Sequence, residues 1–432
     1  MDGPRNPKIS KHGPPGAPIR SKMSRYVPLI CLALTHTLVD TIALLIAPLW
    51  PELKSLFTFT PTMLLVAFVV QALPTSVSQM VFGYLRDRRA TPIWLCLGPI
   101  LAAVFLTLIG VAPNTAVLFV LLFVGGVGVG AFHPEAAVAA GRMFPENRTR
   151  ALSVFMFGGS LGLALGPLLG GFVVSQWGLV GLASLGAPIV VLVWLLRRIG
   201  RLGDLDEATS RTEATPRTKP VLSIGQMLEG RGGLALAIFL ICSLRLVPNM
   251  AMDKVLAFTL SSRGYNTFEI GKYQSLFLAS ASMGMFVMVF RFRPGWEKGF
   301  MVACPLVGIP LLFLLGLETC PQWLFVTLLV LTGITLWGTT PAMVSYAQQL
   351  FPKAAGVASA ITMGLAWGLA TLIQAPITAH FQATEFPQHA FYGFLPCLAL
   401  AAIGAWFLPV SSATRDVREE VAQEVQPESV DA

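Results

Sequence analysis

Few ionisable residues of this chain lie inside its long apolar stretches, and those few could do chemistry. His36 and Asp40 are separated by one helical turn, so on a helix they share a face. His133 and Glu135 flank Pro134 near the end of another apolar stretch, and Arg245 stands near the middle of a third. An imidazole beside a carboxylate can hold and release a proton, and a guanidinium facing a carboxylate keeps it ionised. A charge at bilayer depth costs several kcal/mol, so each of these groups is a candidate for function on a substrate or proton pathway. Plainer readings exist for each. Asp40 and Arg245 could form a static pair that fixes two helices, His36 could bond a neighbouring helix, and Glu135 could be hydrated or cap a break made by Pro134. Asp253 falls near the end of its span and reads as interfacial. Trp337 and Trp367 offer aromatic surface that could flank a substrate or simply pack.

The elements that must position these residues are membrane helices. The chain is 54% hydrophobic and 12% charged, against about 25% charged in a soluble domain. Apolar runs of about 20 residues recur, at roughly 26–50, 63–85, 93–111, 115–140, 151–175, 177–197, 233–258, 271–290, 300–317, 322–349, 356–380 and 388–410. These twelve spans predict an all-α polytopic membrane protein and exclude a barrel of short alternating strands. Spans four and ten are long enough to protrude from a bilayer.

Lys and Arg gather in the N-terminal arm, after spans two, four, eight and ten, and in the long central loop, while the alternate loops hold Lys54, Arg263 and little else. This places both termini and the central loop in the cytoplasm. It also accounts for the net charge of +8 without a nucleic-acid partner. Residues 1–25 lack the apolar core of a signal peptide and read as a disordered cytoplasmic arm. Residues 198–232 read as a cytoplasmic linker and 411–432 as a polar cytoplasmic tail. Six cysteines show no paired spacing and no Cys/His motif, so neither a disulfide framework nor a metal site is expected. No phosphate-binding loop or nucleophile elbow is present. The chain therefore reads as neither an enzyme nor a cofactor protein.

The second half repeats the first. Pro134 precedes Pro145 by eleven residues and Pro341 precedes Pro352 by eleven, each pair ending in a Phe-Pro step that opens a Gly-rich span. Two related sets of spans, 26–197 and 233–410, are the pattern of a secondary transporter that binds a small molecule between its halves. Within this frame, the stretch Gly83-Tyr-Leu-Arg-Asp87-Arg88 after span two reads as a charged latch on one conformation, with Asp87 capping a helix and Arg88 bonding carbonyls. In span five, Gly158, Gly162, Gly166 and Gly170 form a smooth stripe for close helix packing, bent by Pro167.

The Asp-Arg step after span two, taken with the span-five stripe, resembles the major facilitator superfamily, and the stripe resembles the antiporter motif of its drug:proton members. His36-x-x-x-Asp40, Phe132-His-Pro-Glu-Ala136 and Asp87-Arg-Arg-x-x-Pro92 together resemble the fosmidomycin resistance branch. The loop after span eight has lost the Asp-Arg core, and span four carries no arginine in its middle. The resemblance implies two pseudo-symmetric six-helix bundles and alternating access. It implies proton-coupled efflux of small organic or drug-like compounds from a monomer in the inner membrane. It further implies that spans one, four, seven and ten line a cavity across which Asp40 and Arg245 face each other. Import or facilitated passage of a metabolite is the nearest alternative, and a transporter-like sensor that moves nothing is the second.

Overall fold

A computed structural model describes residues 26–88, 93–144, 148–200, 230–291 and 295–410. The arm 1–25, most of the linker and the tail after 410 lie outside the described residues. Among the described residues every regular element is helical. Twelve long helices follow in order. They are α1 (Val27–Leu56), α2 (Pro61–Arg88), α3 (Trp94–Val111), α4 (Thr115–Met143), α5 (Arg148–Trp177) and α6 (Leu179–Ile199). The second set is α7 (Gly232–Ser262), α8 (Thr267–Arg291), α9 (Glu297–Leu315), α10 (Gln322–Leu350), α11 (Val357–Phe381) and α12 (Pro387–Phe407).

Eleven of the twelve are long and apolar enough to cross a membrane within their described residues alone. The helix α8 carries Glu269 and Lys272 in its first turns and is central to the packing. The observed α1 runs past the expected end at 50. A turn of 3-10 helix at Ala47–Leu49 passes Pro48, and the chain continues as Trp50–Leu56.

Packing partners recur at an offset of six helices. In the first half α1 packs on α5, α4 on α2 and α3, and α3 on α6; in the second α7 packs on α11, α10 on α8 and α9, and α9 on α12. The halves meet along α5–α8 and α2–α11. Glycine governs both kinds of contact. A Cβ on Gly158 or Gly170 would lie 2.3 or 2.1 Å from the carbonyl oxygens of Ala33 and Leu45 on α1. One on Gly271 of α8 would lie 2.3 Å from the Pro167 oxygen. Lipid supplies no hydrophobic force between helices, so this close backbone approach and the hydrogen bonds it allows are what hold them.

The far end of α1 is tied to the second half. Its residues 47–56 meet α7 and α8. Gln274 Nε2 of α8 donates to the Ala47 carbonyl at 3.0 Å, and Lys54 donates to the Gln382 carbonyl after α11. Asp253, expected to be interfacial, pairs with Lys254 at 2.9 Å in this same region. The outward faces carry large apolar side chains such as Trp177, Trp194 and Phe407, as a lipid-facing surface requires.

Candidate functional site

The site begins with the packing of α5 on α1. Thr37 and Thr41 each donate back to their own helix and across to α5, Thr37 Oγ1 to the Gly158 carbonyl at 2.8 Å and Thr41 Oγ1 to the Gly162 carbonyl at 3.3 Å. The predicted stripe therefore serves this seam. Gly158, Gly162, Gly166 and Gly170 all face α1, and Pro167 with Gly171 faces α8 of the other half. One further glycine, Gly159, lies off the stripe and was not anticipated. A Cβ there would come within 2.4 Å of His36 Cε1 and 2.8 Å of Asp40 Oδ2.

The space left by Gly159 holds a cluster of three ionisable side chains. His36 Nε2 lies 3.2 Å from one Asp40 oxygen and His133 Nε2 lies 3.2 Å from the other. His36 is 2% exposed and Asp40 7%, while the His133 side chain keeps 22% of its surface open. Both rings are pinned from behind. His36 Nδ1 bonds the Phe155 carbonyl of α5 at 2.8 Å, and His133 Nδ1 bonds the Val129 carbonyl of its own helix at 2.7 Å. Phe155 also stacks on the His36 ring with centroids 4.1 Å apart.

These bonds dictate where hydrogen must be. A carbonyl oxygen only accepts, so each Nδ1 carries the hydrogen. A neutral ring then turns a bare Nε2 lone pair toward Asp40, which repels. A ring protonated at Nε2 donates to the carboxylate instead, a charge-assisted bond. The cluster is thus bonded when loaded with protons and strained apart when unloaded. The donor atoms of all three side chains also lie within 4.8 Å of one another, close enough for one cation to bridge. The expectation of no such grouping rested on local Cys and His spacing, whereas this one is assembled from two helices.

Glu135 is neither hydrated nor a cap. It is 3% exposed, and its Oε2 lies 2.8 Å from Arg86 Nε of α2, an ion pair. Arg86, read from sequence as one of the basic residues after span two, lies inside α2 and is 5% exposed. Equal depth was the available signal. Both residues sit near helix ends on the same side of the bundle, and two opposite charges buried at one level seek each other.

Arg245 does not face Asp40 as a partner. Its Nη1 donates to the Leu336 carbonyl and its Nη2 to Thr340 Oγ1 at 3.2 Å, both on α10, and it is 2% exposed. Its depth along α7 is legible from its position in the chain, but the neighbour its side chain reaches is not. Asp40 and Arg245 are thus each engaged within their own half. Trp337 and Trp367 meet edge to face at 5.8 Å. Of the latch residues, Gly83 approaches Pro134, with a Cβ position 3.9 Å away. The expected loop of Asp87 and Arg88 is the last turn of α2, and their side chains lie outside the described residues.

The Major Facilitator Superfamily profile matches residues 30–375. The chain is 26% identical to the fosmidomycin resistance protein of Escherichia coli (strain K12) over 389 residues, covering 88% of this chain and 91% of that one. It is 27% identical to an uncharacterised transporter of the same type, YfnC of Bacillus subtilis (strain 168), over 393 residues, 87% of this chain and 92% of the other. Among solved structures, a bacterial homologue of the human lysosomal transporter Spinster, in an inward-facing and occupied conformation, superposes with a TM-score of 0.67. That match is at 16% identity and covers 90% of this chain and 97% of that one, a likeness of fold.

Proposed function

We propose, from the premise that this chain belongs to the Major Facilitator Superfamily, that it is a proton-coupled exporter of small organic or drug-like compounds. Members of the family it matches are transporters and not enzymes, and its helices make it an integral membrane protein. Alternating access follows from the doubled architecture, with residues 26–197 and 233–410 as the two rocking units and 198–232 joining them. The basic loops support an inner-membrane protein with both termini in the cytoplasm. We take it to work as a monomer. The Gly83-to-Arg88 turn serves as the latch at the end of α2.

One observation carries the proton part of this reading: the pinned rings of His36 and His133 around Asp40. Loading protons makes two bonds to the carboxylate, and unloading removes both. The change falls on α1 and α4, two helices expected to line the passage. The outward direction is supported by the span-five stripe and by the resistance named for the relative.

The test uses inverted membrane vesicles with an imposed pH gradient and a labelled panel of amphipathic compounds. Accumulation is expected for at least one compound, lost when the gradient is collapsed and lost in Asp40→Asn. Transport that ignores the gradient, or survives Asp40→Asn undiminished, ends the proton reading. Accumulation in right-side-out vesicles instead would mark an importer.

A further inference from the structure

Among the described residues, Arg245 and the polar side chains on the helices beside it leave a set of buried atoms that are mostly donors without acceptors. Arg245 spends two of its five N–H groups on Leu336 and Thr340. Its Nε is buried and unpartnered, and no acidic side chain among the described residues pairs with it. Asn249, one turn along the same face of α7, is 6% exposed, and both its amide atoms are unpartnered. The indole N–H groups of Trp337 and Trp367 and the amide nitrogen of Gln374 are buried and unpartnered as well. In this set the one unmatched pure acceptor is Asn249 Oδ1. Burying a donor without an acceptor costs about 1–3 kcal/mol and more for a charged one, so the arrangement is expensive unless something arrives to accept.

Three of these donors, on Arg245, Trp337 and Trp367, are linked in space. Leu336 and Thr340, which hold the guanidinium, bracket Trp337 on α10, and Trp337 meets Trp367 of α11 at 5.8 Å. Immediately before Trp367, α11 departs from regular winding into a π-helical stretch, Ala360–Leu365. Such stretches are rare and concentrate at functional sites. The same stretch borders the other half, where a Cβ on Gly364 would lie 3.0 Å from Met80 of α2.

We infer that Arg245, Asn249, Trp337 and Trp367 form the binding site for an organic anion, a compact carboxylate-type group joined to a flat apolar body. A planar guanidinium matches a carboxylate by two parallel bonds, and amide and indole N–H groups complete the shell. The two indole faces supply the apolar walls. This names a substrate class for the transporter and rests on that reading for its biological meaning, but binding needs no gradient and is measured separately.

The experiment is equilibrium dialysis of the full chain in lipid nanodiscs with three labelled probes of one shape: naphthoate, neutral naphthamide and naphthylmethylammonium. Naphthoate is expected to bind about tenfold more tightly than the amide, the worth of a charge-assisted bond, and the ammonium weakest. Arg245→Gln removes the preference, and Arg245→Lys restores part of it. Saturable naphthoate binding that is absent, or no tighter than that of the amide, overturns the proposal. So does a preference that persists in Arg245→Gln. The wild-type probe series decides the matter even where a variant fails to fold. Failure of gradient-driven transport with this preference intact would count against the function proposed above and not against the site.

Discussion

The two halves place a charged centre on matching helices and give it opposite chemistry. In the first, Asp40 on α1 meets His133 on α4, the residue before Pro134. In the second, Arg245 on α7 meets Thr340 on α10, the residue before Pro341. One centre is a carboxylate whose two oxygens are both engaged by rings within its own half. The other is a guanidinium with donors to spare. A duplicated scaffold preserves helix pairing because backbone contacts demand it, and leaves the side chains at each crossing free to diverge. The self-contained centre suits a small ion that must be held and released. The incomplete one suits a ligand that brings the missing acceptors.

The sharpest way to break this comparison is Asp40→Asn. It removes the anion between the two rings, and gradient-driven transport is expected to fall on the order of 100-fold, the usual worth of a positioned proton carrier, while the anion preference of the Arg245 site persists. Loss of both together in folded protein would show the centres are not separable. Next in size is the buried pair behind the cluster. Glu135→Ala removes the carboxylate paired with Arg86 and is expected to cost about 3–5 kcal/mol, read as a lowered denaturation midpoint. The comparable acid of the second half, Glu297, is 1% exposed but is met by Gln349 Nε2 at 2.6 Å, the Gly295 amide and Ser345, all neutral. Glu297→Ala should therefore cost less, about 1–3 kcal/mol. An equal or greater cost would contradict this contrast.

Smaller effects refine the picture. Gly159→Ala pushes a methyl into the His36–Asp40 contact and is expected to destabilise by about 1–3 kcal/mol and to impair transport. Gly232→Ala, where no atom lies within 4 Å, should leave both unchanged. If Gly159→Ala is as silent as Gly232→Ala, the cluster is looser than drawn. Thr340→Ala removes one partner of Arg245 and should cost about 1 kcal/mol in thermal unfolding, with anion binding retained.

Much of this molecule was legible in the chain before any coordinates. Twelve apolar runs separated by polar turns, and a repeated Phe-Pro step, specify a doubled helical membrane protein, because lipid forces each run to satisfy its backbone within one helix. Span eight, expected at 271–290, is α8, and Gly271 and Gly284 let it pack closely on α5 and α10. The span-five stripe was visible as a packing surface, and the structure supplies its partner, α1.

What the sequence determined is depth: how far along its helix each of Asp40, His133, Arg86, Glu135 and Arg245 stands, since rise per residue is fixed. Which side chain meets which is settled by the packing of the helices. Rotation and neighbour choice depend on glycines and carbonyls of other helices, hundreds of residues away in some cases. Hence Asp40 found His133 and not Arg245, and Glu135 found an arginine that had read as part of a loop. A buried charge takes whatever opposite charge the packing brings within hydrogen-bond reach, and a linear sequence does not record that distance.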